Sequence, residues 1–378
     1  MPEHPRKDLT EINRYIAGSA HVAGVGHVVK LSSNENPLGP PPCVMDSIRD
    51  FCSTPDKVLK YPDMNYSDLR KAIADKYNLD PQRITCGSGS DQVLHMAALA
   101  HLNQGDEVIY SQHAFLMYRI ITLAHGCIPV PIQEEHDFTD SVSRIIESIT
   151  DRTRMIFIAN PNNPTGTFLP RLELIRLIKS LPPCVMLVID SAYAEYAYAD
   201  DGEYCDGVEL IEEFPHSSII MTRTFSKAYG MAGLRLGWGY ASNKIIQLIE
   251  KIREPFNISS VAVCAGIAAL SDKIHINTCI QHNTLQRSLL TEMLRNDGIT
   301  VFPSRANFIM LQIPSAYDQT AEWTAQAAFD FMCTSGFIVR KLDSYKLEKY
   351  LRITIGTADD CKSIRQILLD FMAFNRCL

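Results

Sequence analysis

Lys227 stands in the string Thr222-Arg223-Thr224-Phe225-Ser226-Lys227-Ala228-Tyr229-Gly230-Met231-Ala232-Gly233-Leu234-Arg235, among hydroxyls, small residues and, eight positions on, an arginine. A lysine in that setting suits a Schiff-base site. Its amine must lose a proton before it attacks an aldehyde, and nearby cations or an apolar wall lower its pKa. The hydroxyls and Arg235 would then hold a phosphate carried by that aldehyde. Taken alone, the string reads more simply as a solvated loop lysine after a strand, so its weight comes from the rest of the chain.

Other strings supply that weight. Gly87-Ser88-Gly89-Ser90-Asp91 follows a short strand and opens a helix. Its glycines permit a tight turn, and amides at a helix start bind anions. The third glycine of a dinucleotide fingerprint is missing, which argues against nicotinamide binding. Val188-Ile189-Asp190 puts a carboxylate at the end of a buried strand, the edge along which open α/β sheets bind ligands. Asp190 is either a helix cap or the partner of a pyridine nitrogen. Asn160-Pro161-Asn162-Asn163-Pro164-Thr165-Gly166 is a turn under any reading, and its asparagines offer amides to a phenolate oxygen. Arg352, in Leu351-Arg352-Ile353-Thr354-Ile355-Gly356, sits in a β-branched strand where a charge needs a partner. That partner is a structural carboxylate or a substrate's.

The elements that must position these groups are legible from periodicity. Apolar runs at 84–86, 107–110, 155–159, 185–189 and 219–221 alternate with helical patterns at 92–102, 116–124, 140–149 and 170–180. Such alternation predicts an α/β layer with a mostly parallel sheet covered on both faces. Earlier, a strand at 28–31 leads to a turn-rich loop, a helix follows at 44–51, and Ser67 caps another whose Leu69, Ala72, Ile73 and Tyr77 share a face. Beyond Tyr240 the pattern turns helical at 244–251, 260–271 and 278–295, then mixes strands at 308–312, 337–340 and 351–355 with helices. The expected division is an arm over 1–30, a large domain over 31–275 and a small α+β domain over 276–378.

Bulk properties narrow the function. The 378 residues are 46% hydrophobic and 21% charged with a net charge of −7, so no basic field favours nucleic acid. No apolar run approaches the ~18 residues of a membrane span, and the first residues lack a signal peptide's apolar stretch. Among the 11 cysteines none lies within three residues of another, which reads as reduced thiols and a cytoplasmic protein without a metal site.

Together these strings resemble the fold-type I, pyridoxal-phosphate-dependent aminotransferases of class I and II, nearly end to end. The match includes Leu31 to Gly39 (LSSNENPLG), Tyr61-Pro62-Asp63, Gly87 to Asp91, His113 to Tyr118 (HAFLMY), Ala159 to Gly166 (ANPNNPTG), Asp190 to Tyr193, Thr222 to Arg235, Ala306-Asn307-Phe308 and Leu351 to Thr357 (LRITIGT). LSSNENPLG and LRITIGT favour the subfamily acting on histidinol phosphate with glutamate or 2-oxoglutarate as the other partner. The resemblance implies that Lys227 forms the Schiff base with pyridoxal 5'-phosphate and moves the proton. Asp190 would pair with the ring nitrogen, and Asn163 and Tyr193 with the ring's 3'-oxygen. Phe115 would stack on the ring, where many relatives carry tyrosine. Ser90, Asp91, Thr224, Ser226 and Arg235 would hold the phosphate, joined by Tyr61 of a neighbouring subunit in a homodimer. Arg352 would clamp an α-carboxylate, with Arg340, Tyr15 and Asn36 as further substrate contacts. The arm departs from the family pattern, because Arg14-Tyr15-Ile16-Ala17-Gly18 lacks its usual proline. The alternatives are an aromatic amino acid as donor, a decarboxylase of a phosphorylated amino acid using the same lysine, aspartate and asparagine, a nicotinamide oxidoreductase, and a non-catalytic binding protein of the same fold.

Overall fold

The computed structural model describes residues 7–14, 16, 18, 21, 26, 28–199, 202–313 and 324–374. Its strands are β1 (Val29–Lys30), β2 (Ile84–Gly87), β3 (Glu107–Ser111), β4 (Ile128–Ile132), β5 (Thr153–Ala159), β6 (Met186–Asp190), β7 (Ile219–Thr224), β8 (Gly237–Ala241), β9 (Thr300–Val301), β10 (Phe308–Gln312), β11 (Phe337–Ile338), β12 (Arg340–Lys341) and β13 (Tyr350–Thr354).

A seven-stranded sheet in the order β2-β8-β7-β6-β5-β3-β4 forms the centre. All its pairings are parallel except those of β8, which runs against both β2 and β7. Both faces are buried, so the strands read as continuous apolar runs rather than alternating ones. Ile156 and Ile158 of β5 share one core with Leu187 and Ile189 of β6, closed by helices Ser67–Tyr77 and Arg171–Ser180. Met155 and Phe157 face the other core with Met186 and Val188, closed by helices Ser90–His101, Met117–Ala124 and Asn243–Ile252.

A four-stranded antiparallel sheet, β12-β13-β10-β9, forms a separate core with the 24-residue helix Lys273–Asn296 and helices Ala325–Thr334 and Ala358–Phe374. Strand β1 reaches this end of the molecule and pairs in parallel with β11.

Four local expectations change. Ser67 is the first helical residue rather than the cap; its N–H donates to the Asp63 carboxylate at 2.8 Å, so the cap comes from the preceding turn. That bond, with a second from the Asn65 N–H, holds the Asp63 carboxyl below its ordinary pKa. The run 337–340 is two strands, because the chain leaves β1 at Ile338 and joins β13 at Arg340. Strand β4 is absent from the sequence reading, since Pro129 and Pro131 resemble breakers; it survives as the edge of the sheet. The long helix starts at Lys273, capped by Asp272, five residues earlier than its apolar periodicity indicates.

Candidate active site

Four strand ends bring the singled-out residues to one cavity. The turn after β2 delivers Ser90 and Asp91, the loop after β5 delivers Asn163, β6 ends on Asp190, and the turn after β7 carries Ser226 and Lys227. Phe115, Tyr193, Thr224, Arg235 and Arg352 line the same cavity, of about 210 Å³.

Anion-binding character concentrates at one end. Gly89 lies at φ 81° and ψ 165°, a conformation essentially confined to glycine, and starts the Ser90–His101 helix. A Cβ on Gly237 would fall 2.2 Å from the Ser90 nitrogen, so β8 can pass directly beneath that helix start only as glycine. The Thr224 hydroxyl accepts the Ser226 N–H at 3.1 Å. Arg235, at φ 51°, donates to the Ser226 hydroxyl at 3.1 Å and lies 3.5 Å from the Asp91 carboxylate. Amides, two hydroxyls and a guanidinium thus face one small volume, a donor set suited to a phosphate.

At the other end lies Asp190. Its carboxyl accepts the Tyr118 hydroxyl at 2.9 Å and the Thr222 hydroxyl at 3.2 Å. Burial raises its pKa to about 6, against the lowering effect of those two hydroxyls. Its bonded partners are neutral, so a protonated ring nitrogen would supply the cation that a buried carboxylate lacks.

Between the two ends the Lys227 amine donates to the Ser33 carbonyl at 3.1 Å and lies 5.7 Å from the centre of the Tyr193 ring. Desolvation lowers its pKa to about 8, assisted by the Arg352 and Arg235 charges and opposed by Asp91 and Glu35. A sizeable neutral fraction near physiological pH is what nucleophilic attack on an aldehyde requires. Arg352 donates to the Ser32 carbonyl at 2.8 Å and to the Asn163 side-chain oxygen. The phosphate-type cradle, the uncompensated carboxyl and the deprotonatable amine together fit pyridoxal phosphate.

Three further singled-out residues, Asn36, Arg340 and Tyr61, lie outside the cavity wall. Asn36 braces the lysine turn, donating from its amide to the Ala228 carbonyl at 2.9 Å. Arg340 stands opposite Arg352 across the β12–β13 pair and donates to the Ile16 carbonyl at 2.8 Å. Tyr61 is on the surface, stacked on Phe256 with centroids 4.5 Å apart. Tyr15 lies outside the described residues.

Sequence reasoning missed three groups. Tyr118 holds Asp190, and its place at the end of the HAFLMY string that also carries Phe115 was the available signal. Asn34 donates to the Tyr193 hydroxyl at 2.8 Å, and Ser33 contributes only a carbonyl, which no side-chain pattern marks.

Residues 26–368 match the model of the aminotransferase class I and II family. The chain is 42% identical over 370 residues to the histidinol-phosphate aminotransferase of Paracoccus denitrificans, covering 98% of this chain and 96% of that one. It is 41% identical to that of Dinoroseobacter shibae, covering 98% of each. Among solved structures, the histidinol-phosphate aminotransferase of Sinorhizobium meliloti in complex with pyridoxal-5'-phosphate superposes with a TM-score of 0.82 at 26% identity, over 92% of this chain and 91% of that one. With its fold, its cavity and its sequence in agreement, the chain belongs to the class I and II aminotransferases.

Proposed function

We propose that the protein is a histidinol-phosphate aminotransferase, exchanging an amino group between L-histidinol phosphate and 2-oxoglutarate with pyridoxal 5'-phosphate as carrier. The observation that carries this reading is the convergence of Lys227, Asp190 and the anion cradle on one cavity with Arg352 in its wall. The choice of substrate follows the curated relatives, which carry that name at about the same length.

The cofactor, when bound, supplies an electron sink for the pair released as the substrate's Cα–H bond breaks. Asp190, ionised, holds the proton of the ring nitrogen and so keeps that sink electron-poor. Lys227 Nζ would take the Cα proton and return it on the far side of the transferred nitrogen, a 1,3-shift that needs a neutral amine on a tether. Asn163 and Tyr193 orient the ring through its oxygen. Arg352 offers a planar pair of donors to a carboxylate, and Arg340 on the neighbouring strand places a second guanidinium for a substrate phosphate.

A homodimer completes the proposal, with Tyr61 entering the partner's site. Support comes from Leu59 and Tyr61, which are 80% and 81% exposed on one short stretch. The large and small domains would meet near residue 275, close to the start of the Lys273–Asn296 helix that packs into the smaller sheet's core. A cytoplasmic location is part of the same reading; no helix among the described residues is long and apolar enough to cross a membrane, and the ten described cysteines are unpaired.

The test is amino transfer itself. Loaded protein with histidinol phosphate and 2-oxoglutarate should yield glutamate, and Lys227→Ala should yield none. Faster glutamate formation from phenylalanine or tyrosine would replace the donor, and carbon dioxide released from a phosphorylated amino acid would replace the reaction by decarboxylation.

A further inference from the structure

Asn34 sits on a directional chain of hydrogen bonds that ends at the cavity. Its backbone N–H donates to the Thr354 hydroxyl oxygen at 3.0 Å. Thr354 is buried, so its own proton needs an acceptor, and the Asn34 side-chain oxygen lies 3.2 Å away. That bond fixes which way the amide faces. The Asn34 NH2 group is therefore turned to the Tyr193 hydroxyl, 2.8 Å away, as donor. The Tyr193 oxygen receives a proton from Asn34 and keeps its own, and Tyr193 lines the cavity.

We infer that Asn34 and Thr354 are positioning residues that set the polarity of Tyr193, leaving its hydroxyl proton free for the oxygen of the bound cofactor ring. The inference rests on the proposed cofactor. With the opposite amide orientation, Tyr193 would spend its proton on Asn34, Thr354 would lose its acceptor, and the cavity would face a lone pair.

The chain also joins the two sheets. Thr354 lies two residues beyond Arg352 on β13, and the Asn307 amide donates to the Asn34 carbonyl at 3.0 Å. Asn34 itself adopts φ 57°, a left-handed conformation that asparagine and aspartate tolerate better than most residues. The charged and titratable groups facing Tyr193 are Arg352 from β13, Asp190 from β6, Tyr118 from the 117–124 helix, Tyr196 from the 194–197 helix, Tyr345 from the 343–345 turn and Lys227 from the lysine turn.

Asn34→Asp reverses the polarity, because a carboxylate only accepts. The readout is the pH midpoint of the lysine-bound cofactor's visible absorbance, which a donor to the ring oxygen holds down. Both Asn34→Asp and Tyr193→Phe should raise that midpoint by about one unit, tenfold in the proton equilibrium. The double variant should sit with Tyr193→Phe alone. Thr354→Val, which removes the orienting proton together with the acceptor of the Asn34 N–H, should move it in the same direction by less. An unmoved midpoint in Asn34→Asp beside a moved one in Tyr193→Phe overturns the inference. So does an Asn34→Asp shift that persists in the Tyr193→Phe background, since that shift would come from the added charge. If Asn34→Asp does not fold, an unmoved Thr354→Val midpoint overturns it instead. A wild-type protein that never acquires a lysine-bound cofactor spectrum fails the proposed function itself.

Discussion

A Cβ added to Gly89 would lie 2.4 Å from the Arg235 Nη2 atom, so a side chain at residue 89 would push the guanidinium out of its place beside the helix start. Its backbone conformation alone costs any other residue about 1–3 kcal/mol. Gly89→Ala should therefore weaken pyridoxal phosphate binding roughly tenfold or more. Equilibrium dialysis checks this, and wild-type affinity would show that the cradle is elsewhere.

The Lys227 amine should react according to its lowered pKa. Covalent attachment of pyridoxal phosphate to the cofactor-free protein should accelerate about tenfold per pH unit below 8 and level off above about 8, where the neutral amine dominates. Arg352→Gln removes a neighbouring positive charge and should move that plateau to higher pH. A rate still climbing beyond pH 10, as for an ordinary lysine, would contradict the environment assigned to it.

Asp190 should leave a signature in the stability of the cofactor-free protein. Its folded pKa, about 6, exceeds the unfolded value near 3.8. The folded state thus binds the proton more tightly. The associated stability is fully present below pH 3.8 and is lost as pH rises through about 6, a difference on the order of 3 kcal/mol. Asp190→Asn, which does not titrate, should be the more stable protein above pH 6 when cofactor-free, yet turn over far more slowly when loaded. Thermal unfolding compared at pH 4.5 and 7 checks the first half, and kcat the second.

Arg223 is buried beside Asp206 and Glu195 and lies over the Tyr77 ring at 4.6 Å. Arg223→Met keeps much of the volume but strands two buried carboxylates. A loss of about 3–5 kcal/mol in urea unfolding is expected. A loss below about 1 kcal/mol would mean that those carboxylates are protonated or hydrated in the folded protein.

How much of this was legible in the chain depends on where each group's partner sits in sequence. The central strands announce themselves because both faces are buried, as in β5 and β6, where every position but Arg154 is apolar, a threonine or the terminal Asp190. Lys227, Ser226 and Arg235 are close neighbours in one string, so their joint chemistry shows before folding. Tyr118 and Asp190 are 72 residues apart, and Asn34 and Tyr193 are 159 apart. Nothing in an isolated tyrosine or asparagine marks such a bond; only the crossing of strands creates it. The split of 337–340 was hidden for a related reason, since pairing partners rather than composition decide where one strand ends.

Strand β4 has a consequence for how the molecule behaves in a crowd. The Ile128 N–H donates inward to the Asp106 carbonyl, and the Ile132 carbonyl accepts inward from the Gln112 N–H. The even-numbered groups are thereby used up against β3, and the outward-facing nitrogens belong to Pro129 and Pro131, which carry no hydrogen. A foreign strand arriving at this rim meets carbonyls but no donors, so lateral recruitment of one copy by another is blunted where the sheet would otherwise be stickiest.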